Sequence, residues 1–188
     1  MQNSFITALT HFSPLSEASQ QALAAVSRRL VLEKGHVLVN AGMVSDYIYF
    51  IEQGLSRTYY LKEGREVTDW LSADGEIAGS IVSFISRQPD QRIVQLLEPS
   101  VVWAVSYGSL ETLYAHHHDL ERLGRLLVSH GLLQLQHRFD ALHMASALER
   151  YQGLLANRPA LIQRVPLGML ASYLGITSET LSRIRAQV

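Results

Sequence analysis

The stretch LASYLGITSETLSRIR, residues 170–185, decides what this chain is built to hold. Its apolar spacing reads as two short helices around a tight turn. Where two such helices cross, a small residue is needed, and Ala171 stands there. Four residues on, the turn wants a residue that tolerates positive φ, and Gly175 does so without a Cβ clash. Leu170, Leu174, Ile176, Leu181 and Ile184 are spaced to fill the angle between the helices. A helical hairpin with a glycine turn is common, but it rarely meets all seven demands of a helix-turn-helix in one window.

Thr177 is a predicted N-cap for the second helix, whose N-terminus would then enter a DNA major groove. Ser178, Glu179, Ser182 and Arg183 fall on its outward side. An arginine takes guanine O6 and N7 bidentately, and a glutamate accepts from a cytosine amino group. Arg185 is expected to hold a phosphate, which positions a reader without specifying sequence. Plain solvation is the alternative for each of these side chains. Their grouping opposite five inward apolar positions favours contact with double-stranded DNA.

The rest of the composition is that of an ordinary globular protein and carries no membrane span. The chain has 188 residues, 47% hydrophobic and 18% charged, an ordinary globular balance. Its apolar runs are far shorter than the roughly 20 residues that span a bilayer. The start, MQNSFITALTHFSP, lacks the basic and long apolar regions of a secretory signal, so a cytoplasmic location is expected. With no cysteine, disulfides, thiolate zinc sites and cysteine-held iron–sulfur clusters are excluded. Residues 149–188 carry five arginines against two glutamates, a net +3 that leaves −4 for the other 148. A basic tail on an acidic body suits a nucleic-acid footprint confined to one module.

From about Leu30 to Val105, short runs rich in Val, Ile, Tyr and Thr alternate with Gly35, Gly42, Gly54, Gly64, Gly75 and Gly79. That pattern predicts a sandwich, jelly roll or barrel, with a hairpin turning at Glu63-Gly64. Ahead of it, SPLSEASQQALAAVSRR reads as a helix capped by Ser16. From about Leu110 to Ala145 the pattern is helical, and Val128, Leu132, Leu135, Phe139 and Leu142 form a seam stepping by fours and threes. Some 25 residues of helix extend roughly 40 Å. A second copy of the same helix is the expected partner, the alternative being an amphipathic helix lying on its own domain. Ser146 and Glu149 form a predicted capping box for a helix ending at Pro159, and Pro166 suits the first position of the next.

A helix-turn-helix after a long dimer helix after a glycine-punctuated β domain resembles the Crp/Fnr family of bacterial transcription regulators over about residues 12–187. LEKGHVLVNAGMVSDYIYFIEQGLSRTYY is similar to the family's cyclic-nucleotide-binding jelly roll, and VPLGMLASYLGITSETLSRIR to its DNA-binding signature. Glu179, Ser182 and Arg183 match the E-x-x-S-R pattern of the Fnr branch, in which those residues read base edges. The resemblance implies an α+β chain: a jelly-roll sensor over 1–109, a dimerisation helix over 110–145 and an all-α helix-turn-helix domain over 146–188. It implies a homodimer on a two-fold symmetric operator, and it admits RNA polymerase as a further partner.

Two departures bear on what is sensed. Cyclic-nucleotide members carry Gly-Glu early and Arg-Ser or Arg-Thr late in the phosphate-binding segment. Gly75 and Glu76 fit the first pair, but Asp90 and Gln91 fall on the second, with Arg92 displaced by two residues. A carboxylate there would repel a cyclic phosphate, so cyclic AMP is disfavoured unless Arg92 or Arg87 turns inward. The Fnr branch senses oxygen through a cysteine-bound cluster, which this chain cannot build. After the second helix only AQV remains, so the β-hairpin wing of many members is expected to be missing.

Other chemistry is thin. His116, His117 and His118 point about 100° apart on a helix, and His130 and His137 lie two turns apart, so no metal site is expected. Haem stays open only because some relatives sense gases that way. No nucleophile elbow, P-loop, Rossmann fingerprint or HExxH is present, and no enzymatic activity is expected. The rival to a DNA reader is a ligand- or protein-binding module that has lost its DNA role.

Overall fold

The computed structural model describes residues 4–187. Residues 1–3 and 188, the outermost positions of the first and last segments expected above, lie outside the described residues. Two helices, α1 (Ser4–Phe12) and α2 (Glu17–Val26), lead into eight strands. These are β1 (Arg28–Leu32), β2 (Val37–Val39), β3 (Tyr47–Gln53), β4 (Leu55–Lys62), β5 (Arg65–Ala73), β6 (Ile77–Ala78), β7 (Ile93–Leu96) and β8 (Ser100–Ser106). A short helix, α3 (Ile81–Ser86), sits between β6 and β7. The strands form two antiparallel sheets of order β1-β8-β3-β6 and β2-β7-β4-β5, the jelly-roll arrangement expected from the sequence.

Period-two alternation sorts the side chains. Tyr49 and Ile51, Val94 and Leu96, Val102 and Ala104 point between the sheets and form their common core. The neighbours Phe50, Trp103 and Val105 face the other way and are covered by helices. The β4–β5 hairpin turns at Glu63 and Gly64, both at positive φ (52° and 75°), as a two-residue loop of this twist demands.

Ser16 caps α2, accepting from the Ser19 amide at 3.2 Å. Helix α1 was not expected from the sequence. Its Phe5, Ile6 and Leu9 bury one side, and the Phe5 ring lies 5.3 Å from Phe50 and 5.8 Å from Trp103, centroid to centroid. The helical stretch after the strands is two helices rather than one, α4 (Tyr107–His116) and α5 (His118–Met144). The break falls at His117, whose backbone is extended (φ −132°, ψ 94°). Asp119 in the first turn of α5 fixes that break. Its carboxylate accepts from the Ser16 amide at 2.7 Å and the Ser19 hydroxyl at 2.5 Å, tying α5 to α2.

Only the first turns of α5 are buried, through Leu120, Leu123 and Gly124. Beyond them Val128, Leu132, Leu135 and Phe139 are each more than half exposed, at 57, 65, 56 and 54%, with Leu142 at 38%. The remaining helices are α6 (Ala147–Asn157), α7 (Pro159–Arg164), α8 (Leu167–Leu174) and α9 (Ser178–Arg185). The Ser146–Glu149 capping box opens α6 as read from the sequence. Pro166 departs from the expectation. With ψ at 141° it stands just before α8 as its N-cap, and Leu167 takes the first helical position.

Burial, the largest influence on Asp119, pushes its carboxyl up, but the bonds from Ser19 and Ser16 outweigh it and hold the group down at about 2. A depressed carboxyl stabilises the fold fully above the ordinary aspartate value near ~4 and loses that contribution as pH falls through the folded value. Asp119→Asn is therefore expected to lower the urea midpoint of unfolding above about pH 4. The gap to wild type should close toward pH 2; a gap that stays constant over that range would count against the tie.

Candidate nucleic-acid interface

The C-terminal unit is closed from within. Leu170, Ala171, Leu174, Leu181 and Ile184 are buried together with Tyr151, Leu154, Leu161 and Val165, and Ile176 is half-buried against them. Gly175 takes the left-handed conformation (φ 67°) that ends α8. Its amide donates to the Ser172 carbonyl at 3.1 Å and the Ile176 amide to that of Ala171 at 3.0 Å, which satisfies the last turn. The Thr177 hydroxyl then accepts from the Thr180 amide at 3.2 Å and starts α9. Three residues, Gly175 to Thr177, are thus enough to turn the chain from α8 into α9.

On α9 the exposed positions are Glu179, Ser182 and Arg183, with Ser178 partly exposed. Arg183 reaches back to the Thr180 hydroxyl at 3.3 Å. Glu179 is held below the usual carboxylate range by its own amide, then by the Thr177 hydroxyl and the Arg183 charge. This side of α9 presents two charges and two hydroxyls with no apolar cover.

Arg185 does not share it. Its guanidinium turns back to the Ile162 carbonyl at 3.3 Å, with its Nε buried, so the phosphate role expected from the sequence is not what its placement favours. Among the five arginines of the tail, Arg183 alone is exposed. Arg150 donates to the carbonyls of Leu174 and Ala145 at 2.9 and 2.6 Å, capping the ends of α8 and α5. Arg158 and Arg164 turn to the β domain. From α5, Arg138 lies 4.0 Å over the Tyr173 ring and joins the long helix to the unit. None of these internal roles is visible in the net charge.

The residues expected to line an effector pocket fall into two networks. Gly75 donates to the Ile51 carbonyl at 2.8 Å, while Glu76 accepts from the Ala73 amide and pairs with Arg158. Asp90 lies elsewhere: it accepts from the Ser80 hydroxyl at 2.6 Å and from Arg92 at 3.2 Å. Arg92 is shared with Asp69 at 2.6 Å, and Gln91 is exposed. Arg87 pairs with Asp46 and lies 4.3 Å over the Tyr107 ring. Ser80, fully buried, is the partner that sequence reasoning missed, because a serine beside a glycine carries no signal of its own. Burial, the largest influence, raises Asp90, but Ser80 and Arg92 hold it below its usual value. Arg87 and Arg92, the cations nearest the place of a phosphate in the sequence, are both occupied by carboxylates.

Among the described residues no three His, Asp or Glu side chains gather as metal ligands. His117 bonds the Ser19 hydroxyl at 3.1 Å and His116 its own helix's Thr112 carbonyl at 2.8 Å.

Residues 29–117 match the cyclic nucleotide-binding domain family. Over 174 residues the chain is 26% identical to the fumarate and nitrate reduction regulatory protein of Vibrio cholerae, covering 85% of this chain and 68% of that one. The same figures hold for electron transport regulator A of Shewanella oneidensis. Among solved structures, FixK2 of Bradyrhizobium japonicum superposes with a TM-score of 0.72 at 19% identity, over 86% of this chain and 84% of that one. The c-di-GMP responsive global regulator CLP of Xanthomonas campestris gives 0.70 at 19%, over 92% and 91%. These two likenesses concern the fold.

With Asp90 ionised and Arg92 and Arg87 engaged, calorimetric titration with cyclic AMP is expected to give no heat at micromolar protein. Saturable micromolar binding would mean that one of these arginines leaves its carboxylate for the phosphate.

Proposed function

We infer that this chain is a Crp/Fnr family regulator: a DNA-binding transcription factor whose β domain is a sensor and whose C-terminal unit reads an operator. The observation that carries the reading is the α8–α9 pair, packed from within by five apolar side chains while Glu179, Ser182 and Arg183 stand exposed on α9. Its capped N-terminus is the part of such a helix that contacts base edges. Arg183 and Glu179 supply the donor and acceptor, and Thr177, Ser178 and Ser182 add hydroxyls beside them. The relatives named above are regulators, not enzymes.

The protein acts as a homodimer through α5. A helix of 27 residues that buries only its first turns carries a long apolar seam that water does not favour. A second copy of the same seam is the natural cover. Two readers related by a two-fold axis then require a two-fold symmetric operator with half-sites about one helical turn apart. On this reading the sensor is assigned to residues 1–109, the dimerisation helix to 110–145, where α5 carries the seam, and the reader to 146–188. Its effector is unidentified, and the Asp90 carboxylate, standing where a phosphate would need a cation, disfavours cyclic AMP. No helix among the described residues is long and apolar enough to cross a membrane, and a reader of bacterial DNA works in the cytoplasm.

Two measurements test the reading. In a salt titration of operator binding, log affinity should fall linearly with log salt, at about −0.9 per phosphate neutralised. Arg183→Ala should cost about 1–3 kcal/mol on the preferred site and relax specificity at one base. Unchanged binding by this variant would remove Arg183 from the reading face, and salt-independent binding would favour a module that has lost its DNA role. For the dimer, Phe139→Glu should yield folded monomers by sedimentation, with operator affinity lost; a dimeric variant would put the interface elsewhere.

A further inference from the structure

The reader is fastened to the sensor of its own subunit. Leu55 and Leu71 lie on the outer side of the β4–β5 sheet, opposite the side chains that fill the roll, yet both are fully buried. They belong to the same apolar cluster as Leu170, Ala171, Leu174 and Leu181, because α8 lies on β5. The Thr68 amide of β5 donates to the Ser172 hydroxyl of α8 at 2.9 Å.

Around this shared core two arginines from the reader close on turns of the sensor. Arg164 donates to Asp74 at 2.5 Å, to the Gly54 carbonyl at 2.7 Å and to the two carboxylate oxygens of Glu98 at 2.6 and 3.4 Å. It thereby holds the β3–β4, β5–β6 and β7–β8 turns with one guanidinium. Arg158 donates to the Leu71 carbonyl at 3.2 Å and pairs with Glu76 on the same β5–β6 turn as Asp74. Both arginines are mostly buried, with side chains 23 and 24% exposed. The planar fork of an arginine fixes direction as well as distance, which a lysine does not.

Gly54 is the receiving end of this arrangement. Its amide donates to Asp74 at 2.7 Å while its carbonyl accepts from Arg164. With φ at 130° and the Ser100 side chain where a Cβ would go, the position admits only glycine.

We propose that Arg158 and Arg164 are positioning residues that lock each reading unit to its own subunit's sensor and so set the separation and rotation of the two reading helices in the dimer. The proposal rests on the DNA-reader assignment above. A locked pair tolerates one half-site spacing, whereas readers held by a loose tether adapt to several. Two inserted base pairs move a half-site by about 7 Å and turn it by about 70°.

The test measures binding by fluorescence anisotropy to operators whose half-sites are spaced at the preferred distance and at one and two base pairs more. Wild type should lose roughly tenfold or more at two extra base pairs, comparable to one mismatched base pair. Arg164→Gln should lose less than about threefold, with affinity for a single half-site unchanged. Should that variant fail to fold, the double change Asp74→Asn with Glu98→Gln leaves the arginine in place and is expected to behave in the same way. A wild-type spacing profile in the unlocked variants overturns the proposal, as does a parallel loss of half-site binding. Wild type that binds no DNA sinks the reader assignment instead, and hydrogen exchange then decides the clamp. The Thr68 amide should exchange faster in the double variant, and equal protection in both proteins overturns it.

Discussion

An apolar outer face on a half-covered sheet has to be buried, and here that constraint organises the molecule. Leu55 and Leu71 alternate with Ser56 and Ser72, whose side chains point into the roll. A free-standing sensor would therefore show leucines to water at its edge. α8 removes them from solvent while using the same side of itself to bury Leu170 and Leu174. One apolar cluster thus serves two units that a domain diagram would draw apart, and the arginines need only orient what burial already holds.

Charge is distributed to the same end. The tail's net +3 looks like a footprint for DNA, but most of it is spent inside the protein. Arg150 caps two helices, Arg185 bonds a carbonyl, and Arg158 and Arg164 meet Glu76, Asp74 and Glu98. Asp74 is held below its usual value although burial, the largest influence, pushes it up, because the bonds from Arg164 and the Gly54 amide prevail. The acidity of the body and the basicity of the tail are two halves of one interface. Outward charge on α9 is left to Arg183 and Glu179.

The legible parts of the sequence were those governed by residues close to one another. Ser16, Ser146 with Glu149, Gly175 and Thr177 each act within four residues, and the structure has each in the expected cap or turn. The hairpin at Glu63-Gly64 is of the same kind. What escaped depends on distance along the chain. The break at His117 is set by Asp119 meeting Ser16 and Ser19 about a hundred residues earlier. Arg164 finds Asp74 and Glu98 only because the fold brings three turns together. In the sensor, Glu76 meets Arg158 while Asp90 meets Ser80 and Arg92, and motif spacing does not reveal such partners. Helix α1 is the exception: Phe5, Ile6 and Leu9 are spaced for one helix face within nine residues of chain.

The two networks of the sensor are nevertheless joined by a short covalent path. Glu76, paired with Arg158, is followed by Ile77 and Ala78 of β6, then by Gly79 and by Ser80, which is bonded to Asp90. β6 has only two residues, paired to Tyr49 and Phe50 at the sheet edge, and is fastened by the Ser72 hydroxyl on the Ile77 carbonyl and by Ala78 in the core. Anything that drew Ser80 away from Asp90 would pull on the turn that carries Asp74 and Glu76. The dimer helix offers a second route, since Arg138 and Leu142 near its end touch Tyr173 and the Gly175 turn. The first route ends on α7, through Arg158 and Arg164, the second on α8 and its turn, and neither ends on α9. The reading helix can then be re-aimed as a rigid part, with its caps, its core and its exposed side chains unchanged.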